Sequence, residues 1–162
     1  MEEQEPFTFS LTNGGRLKIS NEALATMLKY VQDKPFKNEA GGVLLGRYIK
    51  GSNDIVIDLA TQPQSKDKRS RFRFFRKQEE HQAIVEQVWM ESEGTCNYLG
   101  EWHTHPESKP VPSSVDAKTW IRQVRETKFK GDCLYSVIVG TEEFTLFEIN
   151  KSTLIINKLS LI

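Results

Sequence analysis

From Gly42 to Ile49 the chain is apolar at nearly every position, broken only by glycine and a single arginine. An unbroken apolar run of that length reads as a strand buried on both faces, with other structure covering each side. After the turn residues Gly51-Ser52-Asn53, the bulky side chains of Ile55, Ile57 and Leu59 recur at every second position. The two segments therefore form a hairpin whose first strand is buried and whose second is half-buried.

The flanking sequence supplies the rest of such a fold. Phe7, Phe9 and Leu11 alternate with polar residues, Asn13-Gly14-Gly15 turns the chain, and Leu17 and Ile19 resume the alternation, so the chain opens in β-structure. Ser20 is an N-cap candidate, and Leu24, Met27, Leu28 and Val31 follow at helical spacing to about Gln32, before Asp33-Lys34-Pro35. A polar loop over 61–70 leads to an extended piece carrying Phe72 and Phe74. Ile84, Val85, Val88 and Trp89 then mark the inner face of a second helix ending near Gly94. Asn97 to His103 reads as a short strand. A third helix begins at Ser113 or Ser114, with Ala117, Trp120, Ile121 and Val124 inward. Cys133 to Val139, Phe144 to Ile149 and Thr153 to Leu159 form a closing antiparallel meander. Strands first, helices interposed and strands last predict an α+β, three-layer αβα domain on a mixed central sheet, spanning residues 1–162 as a single unit.

With 22 basic and 22 acidic residues the chain has no global field to draw it onto nucleic acid or an anionic membrane. The acidic start MEEQEPFTF is unlike a secretory signal, and no apolar run approaches a membrane span. Cys96 and Cys133, without CxxC spacing, read as free thiols in a reducing compartment, which makes the cytoplasm the expected location.

The chemistry concentrates in one segment, Glu101-Trp-His-Thr-His-Pro-Glu-Ser-Lys-Pro-Val-Pro-Ser-Ser-Val-Asp116. In extended backbone, residues i and i+2 project to one side, so His103 and His105 can offer two imidazoles to one point. A catalytic zinc keeps three protein ligands and leaves a fourth position for water, and Asp116, in the first turn of the following helix, is within reach of a loop that folds back. Glu39, at the mouth of the buried strand, is the candidate general acid/base, because a carboxylate there is unusual without a task. Ser113 is the candidate hydroxyl donor to a developing oxyanion.

Glu39 followed by Gly41-Gly42-Val43-Leu44 and Gly46, then His103-Thr104-His105-Pro106, six residues, Ser113 and Asp116, resembles the signature of the JAMM (JAB/MPN) metalloproteases without a gap. The resemblance covers roughly residues 7 to 150 and implies an MPN-like fold. It further implies zinc on His103, His105 and Asp116, Glu39 as general acid/base, and Ser113 as oxyanion stabiliser. Members with the full motif hydrolyse isopeptide or peptide bonds after the carboxyl terminus of ubiquitin or ubiquitin-like proteins, so the expected partner is a ubiquitin-like conjugate. A chain of this size without appended domains resembles the stand-alone bacterial members more than the proteasome, signalosome or endosomal ones, and some of those bacterial members sit in CBASS antiphage operons and remove a nucleotidyltransferase from proteins to which it has been joined.

Several residues admit a second reading. Ser113-x-x-Asp116 has the spacing of a helix capping box, and Asp116 is expected to serve as cap or as ligand, with only part of both roles met. Glu101 shares parity with the histidines and is a rival base or a partner that orients one of them. His81 reads as a histidine at the edge of the core. The basic run from Lys66 to Lys77 is either a solvated edge or, as the resemblance implies, a flank for an extended substrate tail with Phe72 and Phe74 packed beneath. Pro106 to Pro112 is a candidate gate. Beside the isopeptidase stand a peptidase acting on a sulfur-carrier protein, a non-catalytic interaction module with structural zinc, and, weakest, a thiol protease using Cys96.

Overall fold

The computed structural model describes residues 7–162, and the acidic stretch before Phe7 lies outside the described residues. The buried run forms β3 (Gly41–Tyr48), the centre of an eight-stranded mixed sheet in the order β1-β2-β4-β3-β7-β8-β9-β10. Its partners are β1 (Phe7–Ser10), β2 (Arg16–Ile19), β4 (Ile55–Ala60), β7 (Asn97–Thr104), β8 (Cys133–Val139), β9 (Phe144–Asn150) and β10 (Ile156–Lys158). Two pairs are parallel, β2 with β4 and β7 with β8, and the rest antiparallel. The expected opening strand-turn-strand, the hairpin and the closing meander are all present.

Residues beyond β10 return to β1. Leu161 bridges Phe9, and the Ile162 N–H donates to the Thr8 carbonyl at 2.9 Å. The sheet thus curls until its edges meet, which satisfies backbone groups that an open edge would expose.

Alternation along the strands builds the layers. Leu44, Val137 and Val139 face an interior shared with Ala23, Leu24 and Met27 of helix α1 (Asn21–Leu28). Val43 and Leu45 face the opposite way, onto Ile84, Val85 and Val88 of helix α2 (Gln78–Glu91). Leu134 and Ile138 meet Trp120 and Val124 of helix α3 (Ser114–Glu126). One strand carries side chains for both faces, which is why β3 is apolar and buried from Gly41 to Gly46, before the exposed Arg47.

Three details differ from expectation. Helix α1 ends at Leu28 rather than near Gln32, with the tightened bonds Tyr30 N to Met27 O and Val31 N to Leu28 O closing it. Gln32 leaves the helical path to bury its carboxamide between other segments. The extended piece around Phe72 and Phe74 is a separate hairpin of β5 (Lys68–Ser70) and β6 (Arg73–Phe75), with Phe72 in the turn and 73% exposed. Trp89, expected on the inner face of α2, is half exposed because that helix buries only one side of its last turns.

The two glycines after Glu39 are set by close approach. A Cβ at Gly42 would stand 2.2 Å from the Thr61 carbonyl oxygen and 2.8 Å from Trp102 Nε1, while one at Gly41 would meet the Phe74 ring and the Trp102 carbonyl, each at 2.6 Å. Gly42→Ala is expected to cost about 1–3 kcal/mol, the usual penalty for overpacking a rigid interior, read as a lowered denaturation midpoint.

Candidate active site

The site lies where β7 runs out beside β3 and β8. His103 pairs with Gly41 of β3 and with Ile138 of β8, and the His105 N–H continues the ladder by donating to the Val139 carbonyl at 3.0 Å. Both imidazoles therefore rest on hydrogen-bonded backbone at the middle of the sheet.

Their Nε2 atoms face each other at 3.0 Å. Asp116 approaches from α3, with Oδ1 3.4 Å from His103 Nε2 and Oδ2 3.2 Å from His105 Nε2. Ligand atoms bonded at 2.0–2.1 Å to a tetrahedral zinc stand about 3.3 Å from one another. The His103–His105 separation is close to that edge, each imidazole meets a different oxygen of the Asp116 carboxylate, and among the described residues His103, His105 and Asp116 are the group able to hold a metal ion, with one ligand atom from each all within 4.8 Å of one another.

Electrostatics agree with such an occupant. Two imidazoles are surrounded by three carboxylates, those of Glu39, Glu107 and Asp116. Burial works against the Asp116 carboxylate, but hydrogen bonds from His103 and His105 prevail and hold its pKa well below the usual carboxylate range. Burial likewise disfavours the His105 imidazolium, and the hydrogen bond and charge of Asp116, with the charges of Glu39 and Glu107, outweigh it and raise its pKa. A cluster that attracts positive charge this strongly suits a divalent cation.

Glu39 is buried rather than solvated. Its Oε1 stands 3.6 Å from His105 Nε2, and burial, only partly opposed by His105, raises its pKa to about 7. Its backbone is held by the small hairpin: the Glu39 N–H donates to the Ser70 carbonyl at 2.7 Å, and Arg69 Nε donates to the Glu39 carbonyl at 2.9 Å.

Ser113 and Asp116 form a complete capping box. Asp116 N donates to Ser113 Oγ at 3.0 Å, and Ser113 N donates to Asp116 Oδ2 at 2.8 Å. The expectation that Asp116 must choose between cap and histidines is therefore corrected. A carboxylate accepts about four hydrogen bonds, so one group closes the helix end and faces both imidazoles. The cap aims it. Ser113 is exposed, and because its Oγ accepts from Asp116 its own proton is free to be donated.

Glu101 is not at the histidines. It forms an ion pair with Arg76 and lies 3.5 Å from the Tyr98 hydroxyl. The carboxylate that meets the other nitrogen of a site histidine is Glu107, whose Oε1 is 3.1 Å from His105 Nδ1. That contact fixes the tautomer that leaves Nε2 free to bind. The available signal was only nearness in sequence, since β7 ends at Thr104 and the chain bends over 106–109 to bring Glu107 back to His105.

His81 is fully buried between Asp67 Oδ2, 2.7 Å from its Nε2, and Thr61 Oγ1, 2.9 Å from its Nδ1. It stands outside the cluster and pins the loop after β4 to α2. Burial raises the pKa of both thiols, that of Cys133 to about 12, which suppresses the thiolate a cysteine nucleophile needs. The proline-rich loop is tied down by backbone bonds from Thr141 N to Glu107 O and from Glu143 N to Ser108 O. No helix among the described residues is long and apolar enough to cross a membrane.

Comparison with known proteins places these features. The family described as prokaryotic homologs of the JAB domain matches residues 20–151. A Pseudomonas aeruginosa protein named CD-NTase/cGAS isopeptidase is 42% identical over 124 residues, covering 76% of this chain and 77% of that protein. Proteins of the same name from Vibrio cholerae and Escherichia coli are each 36% identical, over 79% and 77% of this chain and 78% and 76% of their own. The fold is shared with a Desulfitobacterium hafniense protein of known solution structure, at a TM-score of 0.57 and 20% identity, covering 86% of this chain and 87% of the other. With its buried strand, its His-Thr-His segment and its capped aspartate all inside the matched region, the chain belongs to the prokaryotic JAB family.

Proposed function

We propose that this protein is a zinc-dependent isopeptidase of a CBASS-type system, hydrolysing the amide bond that joins the carboxyl terminus of a CD-NTase, or of a ubiquitin-like protein, to an amine. The observation that carries the reading is the convergence of His103, His105 and Asp116 at metal-ligand separations with buried Glu39 beside them. The names of the relatives supply the bond type and the substrate class.

His103, His105 and Asp116 would hold the ion, and Glu107 would orient His105. Zinc in a three-ligand site supplies Lewis acidity, polarising a carbonyl and making water a nucleophile near neutral pH. Glu39 takes a proton from the attacking water and hands it to the departing amine, a transfer for which a single buried carboxylate must both accept and donate. Ser113 donates a hydrogen bond through its hydroxyl to the oxygen on which charge develops. No fourth protein ligand joins the cluster among the described residues, as a closed structural site would require.

The direct test is cleavage of a purified CD-NTase conjugate. Release of the free nucleotidyltransferase, abolished by a chelator and restored by zinc, is expected. Cleavage that persists in chelator sinks the metal mechanism, and failure on every carboxyl-terminal conjugate sinks the isopeptidase. Glu107→Ala is expected to weaken zinc binding about 10- to 100-fold, the usual cost of removing a carboxylate behind a ligating histidine, measured by competition with a chromophoric chelator.

The β5–β6 hairpin is the proposed flank for the substrate tail. Arg71 is not free for that task, since its Nη1 donates to the Lys34 and Pro35 carbonyls. Arg73 stacks over Phe75 and is the better probe. Arg73→Glu is expected to raise KM, and an unchanged KM would remove the hairpin from substrate binding.

A further inference from the structure

Gln32 is 2% exposed, and its carboxamide joins three segments that are distant in sequence. Nε2 donates to the Arg71 carbonyl at 2.8 Å, in the turn of the β5–β6 hairpin, and to the Lys37 carbonyl at 3.2 Å. Oε1 accepts from the Thr104 hydroxyl at 2.9 Å. The orientation is fixed, because turning the amide over would set its oxygen against two carbonyls.

Thr104 lies between the two ligand histidines and is fully buried, with its side chain on the opposite face of the strand. Its Oγ1 accepts from the Ala40 N–H at 3.0 Å, and its own N–H donates to the Ala40 carbonyl at 2.9 Å. Ala40 follows Glu39, whose N–H is bonded to Ser70 of the hairpin. Hairpin, Gln32, Thr104, Ala40 and Glu39 thus close a ring of hydrogen bonds.

We propose that Gln32, acting through Thr104, is a positioning residue that couples the β5–β6 hairpin to Glu39 and the ligand histidines. A substrate strand laid against the hairpin would then order the carboxylate that acts on it. The coupling to catalysis rests on the isopeptidase reading above, whereas the mechanical coupling does not. Nothing in the ring touches the scissile bond, so its contribution is to geometry, and displacing a reacting group by about 1 Å costs up to about a hundredfold in rate.

The test uses Gln32→Met, Thr104→Val, Thr104→Ser and the double variant Gln32→Met/Thr104→Val, each loaded with zinc. Expected are a kcat lowered about 10- to 100-fold in Gln32→Met and in Thr104→Val, wild-type zinc content in both, and near-wild-type kcat in Thr104→Ser. The double variant is expected to be no worse than either single one, since members of one network do not add. Amide hydrogen exchange on the metal-free proteins reads the coupling without any substrate. Gln32→Met should speed exchange at Glu39 and Ala40 as well as in the hairpin. Unchanged kcat in Gln32→Met, losses that multiply in the double variant, or faster exchange confined to residues 32–37 would each overturn the proposal. If Gln32→Met does not fold, the contrast between Thr104→Val and Thr104→Ser decides, and equal kcat in those two overturns it. If the wild type cleaves no conjugate, the isopeptidase reading fails, and protection at Glu39 and Ala40 still decides the coupling.

Discussion

Glu39→Gln is expected to lower kcat by about 10²- to 10⁴-fold while zinc content stays at the wild-type level, the loss typical of removing a positioned general acid/base. The substitution preserves shape. Both bonds that hold residue 39, to the Ser70 carbonyl and from Arg69, are made by backbone and survive it. Replacing a buried carboxylate by an amide also leaves no charge stranded, so the variant is expected to stay folded. An amide does not accept and return a proton at neutral pH, and the variant therefore isolates that transfer. Steady-state kinetics on a CD-NTase conjugate, run beside elemental analysis of the same sample, make the measurement. A variant within tenfold of wild type would transfer the acid/base role elsewhere, and Glu107, on the far side of His105, is the nearest alternative.

The reach of the sequence follows from what periodicity encodes. β3 could be read because a strand buried on both faces is apolar wherever it is covered, and the meander because its turns are short and polar. The two histidines and Asp116 could be matched to a ligand set because their spacing is local. Three kinds of feature were hidden. Gln32 continues a helical pattern in sequence, and only the presence of Thr104 and Arg71 nearby makes it a buried bridge. Glu101 has the right parity to meet the histidines, but it lies about 6.6 Å back along the strand from His103, where Arg76 of another segment reaches it first. The basic run looks like one patch in sequence. In the fold Arg69 and Arg71 bind backbone carbonyls and Arg76 pairs with Glu101, so only part of that charge faces outward. Partners brought in from other segments are the common element in these cases.

Asp116→Ala is expected to abolish stable zinc binding and activity together, and comparison with Asp116→Asn separates the two roles of the side chain. Alanine removes the proposed ligand and also one half of the capping box, and the loss of the cap should cost the metal-free protein about 1 kcal/mol. Asparagine keeps an oxygen able to accept from the Ser113 N–H, so its metal-free stability should fall by less than that of the alanine variant, losing the charge that faces the two imidazoles but not the cap, while the neutral amide holds zinc poorly. Thermal denaturation reads this without any substrate. A ligand that binds only the folded state at a hundredfold its dissociation constant stabilises by about 2.7 kcal/mol. For a chain of this length that corresponds to a rise in Tm of about 5–10 °C. The wild type should show that rise on adding zinc, and neither variant should. Equal rises in all three proteins would mean that zinc binds elsewhere and that the aspartate is a helix cap alone. A rise confined to the wild type would tie the end of α3 to the metal, with the capping box acting to aim a ligand.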